Sequence, residues 1–180
     1  LAYEHMHDPV TVSVTPEKMT ADNVTEVLYM PSMGEKIPLL IGLLRKMQPL
    51  RSIVFINTKR GADEVAAYLQ GNGWKADVLS GDVAQNKRLR LLREFQSGEL
   101  PILVTTDVAS RGLHIPAVSH VFNFDLPQDH ADYVHRIGRT ARAGAEGDAR
   151  AVLRHEHARF RDRHDVAVQL VVALFAVHGD

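Results

Sequence analysis

The segment YVHRIGRTARAG, residues 133–144, sets Arg136, Arg139 and Arg142 three residues apart, with His135 beside the first and the small residues Gly138, Ala141 and Gly144 interspersed. On a helix that spacing puts three guanidinium groups on one side. Guanidinium groups side by side repel, so the pattern calls for something anionic to face them.

The rest of the chain makes this a local feature. Lys and Arg total 21 against 22 Asp and Glu, a formal net charge of −1. That argues against a bulk polyanion binder and leaves room for a confined cationic site. There is no cysteine, so disulfides and thiolate metal sites are excluded and a reducing compartment is permitted. At 180 residues, 45% hydrophobic and 24% charged, the chain is long enough for one domain with a sizeable core. It opens on Leu1 without a signal peptide, and is read as a piece of something longer. The longest apolar run, VAVQLVVALFAV at 166–177, is too short to span a bilayer.

The elements that must position the arginines follow a rhythm. Residues 1–22 are mixed and polar, with Pro9 and Pro16, and read as a linker. NVTEVLYM (23–30) alternates like an edge strand, and GEKIPLLIGLLRKMQ (34–48) has helical spacing with Pro38 in its first turn. RSIVFINT (51–58), KADVLSG (75–81), PILVTTD (101–107) and AVSHVFNFDLP (117–127) read as strands. Between and after them, 59–73, 83–99 and 129–142 read as helices, the last with Asp129 as its N-cap. GDARAVL (147–153) is a candidate last strand. Strands alternating with helices predict an α/β fold, a parallel sheet covered on both faces in three layers. Ligands of such sheets bind beyond the carboxyl ends of the strands.

Polar residues follow each strand. After the first core strand come Asn57, Thr58, Lys59 and Arg60; after the second, Ser80, Gly81, Asp82, Gln85 and Arg88; after the third, Thr105, Thr106, Asp107, Ser110, Arg111 and Gly112; after the fourth, Asp125 and then the arginine segment. Helix starts, hydroxyls and arginines crowded at one edge suit phosphate groups. Any one of these loops also reads as a simple helix cap; it is the agreement of four that favours phosphate.

These segments resemble the motifs of the second RecA-like lobe of a DEAD-box RNA helicase. VFINT resembles motif IV, SGDVAQNKR the Q-x-x-R segment, TTDVASRGLHI motif V and YVHRIGRTARAG motif VI, in the family's order, from about residue 1 to about 149. HMHDP near the start and the histidine of TTDVASRGLHI are most like the bacterial RhlB type associated with the RNA degradosome. The resemblance implies a RecA-like domain over 23–153, an interlobe linker over 1–22 and an atypical tail over 154–180. It also implies the C-terminal lobe of an ATP-dependent RNA helicase.

By that resemblance Arg139 and Arg142 match arginine fingers, which stabilise charge on a transferring phosphoryl group. Asp107, Arg111, Gly112, His114, His135 and Arg136 match ATP-binding or interlobe positions. Within this set His135 and Arg136 would fix lobe–lobe contacts, Arg111 would link the RNA and ATP sites, and Gly112 would allow tight backbone. Asn57, Thr58, Gly81, Asp82, Gln85, Arg88 and Thr106 match positions on the RNA backbone, where contacts are sequence-independent and salt-sensitive. An alternative for Arg139 and Arg142 is pairing with Asp129 or Asp132; for Arg88, a solvated helix face; for His135, a satisfied interior histidine.

His114 stands where most of the family has an aspartate at the ATP ribose, and Ala141 replaces the usual glycine of motif VI. No G-x-x-x-x-G-K-[ST] loop and no D-E-A-D sequence occurs, so by resemblance ATP and its Mg2+ would be held by an N-terminal lobe and this chain alone would be inactive. RNA, that lobe and a degradosome scaffold are the implied partners, in the cytoplasm and without a membrane. After about Gly147 the resemblance fades and the expected last strand is missing from the pattern. HEH (155–157) with His164 reads as solvated histidines and not as a metal site. The competing function is a non-catalytic module docking RNA or protein; a helicase of another class acting on DNA is a weaker reading.

Overall fold

The apolar runs SIVF and ILVT have no polar alternation, which is the signature of strands covered on both sides. In the computed structural model, which describes residues 24–29, 31, 34–113, 115, 118–140 and 147–152, these runs form the centre of a sheet. The elements in chain order are β1 (Val24–Tyr29), α1 (Lys36–Met47), β2 (Ser52–Phe55), α2 (Lys59–Gly71), β3 (Ala76–Leu79), α3 (Gln85–Ser97), β4 (Ile102–Thr105), α4 (Asp107–Ser110), β5 (His120–Asn123), α5 (His130–Ile137) and β6 (Gly147–Val152). The strands lie in the order β1-β6-β5-β2-β4-β3, every neighbouring pair parallel. β1 is an edge strand, as its alternation predicts. The linker at 1–22 and the tail at 154–180 lie outside the described residues.

Because successive strand residues face opposite ways, the inner strands feed two cores. Val54, Ile56, Ile102, Val104, Val78 and Phe122 pack on Leu40 and Leu44 of α1 and Val65 and Leu69 of α2. Ile53, Phe55, Leu79, Leu103 and Val121 pack on Leu91 and Phe95 of α3 and on Ile115 and Val118. Tyr133 and Ile137 of α5 cover Ala149 of β6 together with Val24 and Leu28 of β1. Helices therefore cover both faces, the three layers of a RecA-like fold.

The routing at the carboxyl ends positions the site. β2 sends its chain to α2 on one face, whereas β4 and β5 send theirs to the other. β2 lies between β4 and β5, so the departing chains leave a crevice at its tip, the switch point where open α/β sheets bind ligands.

Three expectations need correction. GDARAV forms β6, inserted between β5 and β1 with Val121 opposite Ala149 and Glu26 opposite Ala149 on the other side. The last strand is therefore present, and its small residues Ala149 and Ala151 alternate with Asp148 and Arg150, a pattern that weakens its apolar signal. The third core strand stops at Thr105, and Asp107 opens a single helical turn where the sequence predicts strand and loop. The helix expected to reach residue 142 ends at Ile137, so Arg136 and Arg139 do not share one helical stripe.

Two contacts tie β1 and β6 into the domain. The Tyr133 hydroxyl donates to Glu26 Oε2 at 2.6 Å, joining α5 to the edge strand. Burial, then the Glu26 charge and this bond, pushes the phenol well above its ordinary pKa. Replacing Tyr133 by Phe leaves the Glu26 carboxylate without its donor and is expected to cost about 1–2 kcal/mol. The measurement is the urea midpoint at unchanged slope; an unmoved midpoint would show that the bond contributes nothing.

One register position away, the His120 ring of β5 has its Nε2 4.0 Å from Asp148 Oδ2 of β6, lies 2.9 Å from Ser119 Oγ and stacks 6.2 Å from Phe122. Burial holds its pKa below the ordinary histidine value, partly countered by Asp148 and reinforced by Arg150. The folded state thus favours neutral His120. Its contribution is complete above the unfolded pKa of about 6.5 and is lost as pH falls through the depressed folded value. The melting temperature is expected to fall between about pH 7 and about pH 5, and less steeply in His120→Gln; parallel profiles would exclude His120 as the cause.

Candidate functional site

Arg136 anchors the carboxyl edge. Asp129 caps α5 by accepting the Asp132 N–H at 2.8 Å, and Tyr133 and Ile137 turn inward. Arg136 lies three residues from Tyr133 and one from Ile137, on the inward side, and is 1% exposed. All five of its N–H groups find acceptors. Nε and one Nη2 proton take the two Asp107 oxygens at 2.7 and 2.6 Å. The other Nη2 proton reaches Asn57 Oδ1 at 2.9 Å, and Nη1 donates to Asn123 Oδ1 at 3.3 Å and to the Asp125 carbonyl. The guanidinium also sits 5.0 Å from the Phe55 ring centre.

Those partners continue outward. Asp125 accepts Lys36 Nζ at 2.7 Å and the Asn57 N–H at 3.2 Å, and Asn57 Nδ2 donates to the Leu126 carbonyl at 2.7 Å. The ends of β2, β4 and β5, the starts of α1 and α4 and the last turn of α5 are thereby held in one polar network. Arg136 was matched to lobe–lobe contacts and Asn57 to RNA. Within the domain Arg136 is buried with every donor used, while Asn57 is exposed and gives its side chain to Arg136 and to the Leu126 carbonyl.

Past Ile137 the chain tightens. Gly138 N–H bonds the Val134 carbonyl at 2.8 Å, then Arg139 and Thr140 N–H bond carbonyls three residues back. A Cβ at Gly138 would stand 3.1 Å from that Val134 oxygen. Thr140 Oγ1 donates to the Val118 carbonyl at 2.7 Å, and Val118 N–H donates to the Arg139 carbonyl at 3.1 Å. This docking turns Arg139 away from the line of Arg136. It lines a cleft of about 260 Å3 with Arg111, Gly112, Asp132 and His135, over Phe55, Asp107 and Arg136. One Arg139 Nη1 contact reaches the Leu113 carbonyl at 3.5 Å.

Across this cleft Arg111 Nη2 donates to Asp132 Oδ1. The Asp132 bond and charge raise the Arg111 pKa further, outweighing slight desolvation, with Asp107 and Asp129 adding to it. Gly112 takes φ +70°, and a Cβ there would meet nothing within 4 Å. Within the domain its glycine serves the left-handed backbone, and no tight approach requires it. His135 is exposed on the cleft wall.

The residues matched to RNA lie along the neighbouring loops. Thr58 caps α2 by accepting the Gly61 N–H at 3.1 Å. Asp82 accepts Lys59 Nζ at 2.6 Å on both oxygens, with the lysine chain passing over Gly81. Arg88 is half-buried and donates to the Ser80 and Ala109 carbonyls at 3.2 and 3.3 Å, so it is not a solvated helix face. Gln85 opens α3 and is exposed; Thr106 is buried before α4. Arg88 on one side and Arg136 on the other grip α4, which makes that single turn the joint between the cleft and this row. Lys59 stands among the edge residues by sequence, and its pairing with Asp82, like that of Arg111 with Asp132, comes from the fold. A pairing across 21 residues leaves no sequence pattern. His114, Arg142 and the HEH tract lie outside the described residues. Among the described residues no group of three or more His, Cys, Asp or Glu could hold a metal ion, and no helix is long and apolar enough to cross a membrane.

A family comparison covers this edge together with most of the domain. Residues 35–144 match the family described as helicase conserved C-terminal domain, and the chain belongs to that family. Its relatives include ATP-dependent RNA helicases named RhlB. The chain is 57% identical over 147 residues to the ATP-dependent RNA helicase RhlB of Psychromonas ingrahamii, covering 82% of this chain and 35% of that protein. It is 54% identical over 147 residues to RhlB of Shewanella halifaxensis, covering 82% and 34%. The chain therefore spans about a third of the length of these relatives. It superposes on the C-terminal domain of the DEAD-box protein Dbp5 with TM-score 0.74 and 32% identity, over 89% of this chain and 88% of that one. With Escherichia coli SrmB, solved bound to the regulator of ribonuclease activity A, the TM-score is 0.68 and the identity 40%, over 74% and 79%.

The Arg136 network makes a direct stability prediction. Arg136→Met keeps much of the volume but leaves Asp107 without its partner and three other acceptors bare. Breaking a buried pair from one side costs about 3–5 kcal/mol, and the partial exposure of Asp107 places the expected loss near about 3 kcal/mol. Arg136→Lys should recover only part of it, since an ammonium cannot span both Asp107 oxygens. Chemical unfolding of the two variants checks this; a Met variant within about 1 kcal/mol of the parent would show the network to be dispensable.

Proposed function

We propose that this chain is the C-terminal lobe of an ATP-dependent RNA helicase, spanning 23–153 between a linker at 1–22 and an atypical tail at 154–180. The observation that carries the reading is the cleft itself: at the switch point of the sheet it gathers Arg111 and Arg139 beside Gly112 and His135, while Arg136 is already neutralised below them. The cations facing outward are thus separated from the one that holds the fold. Similarity to RhlB supports ATP and RNA as the ligands.

The residues present suit the phosphate end of a nucleotide. Guanidinium donors and a left-handed glycine line the cleft, and no Gly-rich P-loop occurs in the chain. ATP would supply the phosphoanhydride, with Mg2+ held by an N-terminal lobe. In this reading Arg139, with Arg142 by its motif match, stabilises the charge gathering on the phosphoryl oxygens, a role that can contribute about 10³–10⁵ in rate. Arg111 and Gly112 connect that end to the RNA row; Asp107 and Arg136 hold the connecting turn in place. Thr58, Gly81, Asp82, Gln85, Arg88 and Thr106 face the RNA backbone, with Asn57 orienting the loop beneath them. His114 matches, by motif alone, the position that meets the ATP ribose in the family. Closure of two lobes on ATP and one RNA strand would then strain a short duplex. A cytoplasmic setting and a degradosome scaffold as partner belong to the same reading.

The test supplies a matching first lobe covalently, adds RNA and follows ATP hydrolysis. Arg139→Ala is expected to fall by roughly 10³ or more with little change in melting temperature. Equal hydrolysis by parent and variant would remove the finger role.

A further inference from the structure

The cations of the carboxyl edge are held by their acids in two distinct manners. Arg136 is sealed, its fork spanning both Asp107 oxygens and three further acceptors. Arg111 is 64% exposed and reaches a single Asp132 oxygen across the cleft, while the Asp132 side chain is only 17% exposed. Asp132 is also fixed from behind, since its own N–H is bonded by the Asp129 cap at 2.8 Å in the first turn of α5. The carboxylate is therefore the stationary partner and the guanidinium the movable one. Helix stability gives no reason for the pairing, because Asp129 already caps α5 and Asp132 would favour the helix start wherever Arg111 pointed.

We propose that Asp132 is the resident counterion of Arg111: it draws the guanidinium onto the α5 wall of the cleft and competes for it with an entering polyphosphate, so that it sets the threshold for anion capture. The proposal rests on the nucleotide reading of this cleft. An exposed single-oxygen pair is weak and salt-screened, so a polyanion carrying several charges can take Arg111 from it. The same polyanion cannot take Arg136, whose five donors are already committed. The exchange moves one cation and leaves the network beneath undisturbed, which makes Asp132 a positioning residue that tunes affinity through Arg111.

Binding of inorganic tripolyphosphate to this chain, measured by calorimetry at low salt, tests it. Asp132→Asn is expected to bind about two- to fivefold more tightly, with the advantage fading as salt rises. Arg111→Gln is expected to bind more weakly than the parent and to show no gain when Asp132→Asn is added. Asp132→Asn at or below parent affinity would overturn the proposal. So would an equal gain in the Arg111→Gln background, which would mark a general field effect and not competition for one guanidinium. The cleft reading has its own control: if Arg111→Gln and Arg139→Ala both bind like the parent, that reading fails and the counterion role with it. If both weaken binding while Asp132→Asn changes nothing, only the counterion role fails.

Discussion

A buried guanidinium organises this edge. Arg136 arrives at the sheet tip with a full charge and five donors, and burial without partners would be prohibitive. The chain satisfies it by bringing a carboxylate from the start of α4, amides from the ends of β2 and β5, and a carbonyl from the β5 loop to one point. Such a cluster gives little net stability relative to an apolar one of equal shape. What it does is fix direction. The planar fork accepts only one arrangement of Asp107, Asn57 and Asp125, and these residues begin the loops that carry the outward-facing groups.

That geometry resolves the crowding of like charges in motif VI. Arg136 and Arg139 are neighbours in sequence yet belong to different layers, because Gly138 ends α5 and Thr140 pins the following turn to Val118. One arginine becomes part of the floor and the next lines the cleft above it. Phe55 lies under both roles, its ring beside the Arg136 guanidinium and its backbone at the tip of β2. A helix continued to residue 142, as the spacing alone suggests, would have left both side chains competing for the same anions.

The layered sheet was legible because its signals are local. SIVF and ILVT report burial on both faces, Thr58 and Asp129 are caps that do cap, and Pro38 sits within the first turn of α1. Strand order was not legible, since strands that are apolar on both sides carry no mark of their neighbours. The single turn α4 is too short for any period to announce it. The inward face of Arg136 had a signal that spacing among arginines concealed: its nearness to Tyr133 and Ile137, the two residues that seat α5. Gly112, expected to allow tight backbone, does so through its positive φ. Pairings such as Lys59–Asp82 and Arg111–Asp132 join residues 23 and 21 apart and come only from the fold.

Exposure then ranks the charged pairs by how readily they can be exchanged. Lys36–Asp125 and Arg136–Asp107 are shielded, the lysine further held 4.3 Å from the Phe124 ring. Lys59–Asp82 and Arg111–Asp132 lie open to solvent on at least one side. Water and salt weaken the open pairs far more than the shielded ones, so an anion approaching the edge meets cations it can recruit above cations it cannot. The near-zero net charge of the chain is consistent with this arrangement. Lys36, Lys59, Arg88, Arg111, Arg136 and Arg139 each already have an acceptor, and around them the edge becomes strongly electropositive only where a ligand displaces an acid. A lobe built this way gains little from binding a polyanion by itself. It gains more when a second surface holds the anion in place, because the cost of separating each exposed pair is then met by a ligand that is already oriented.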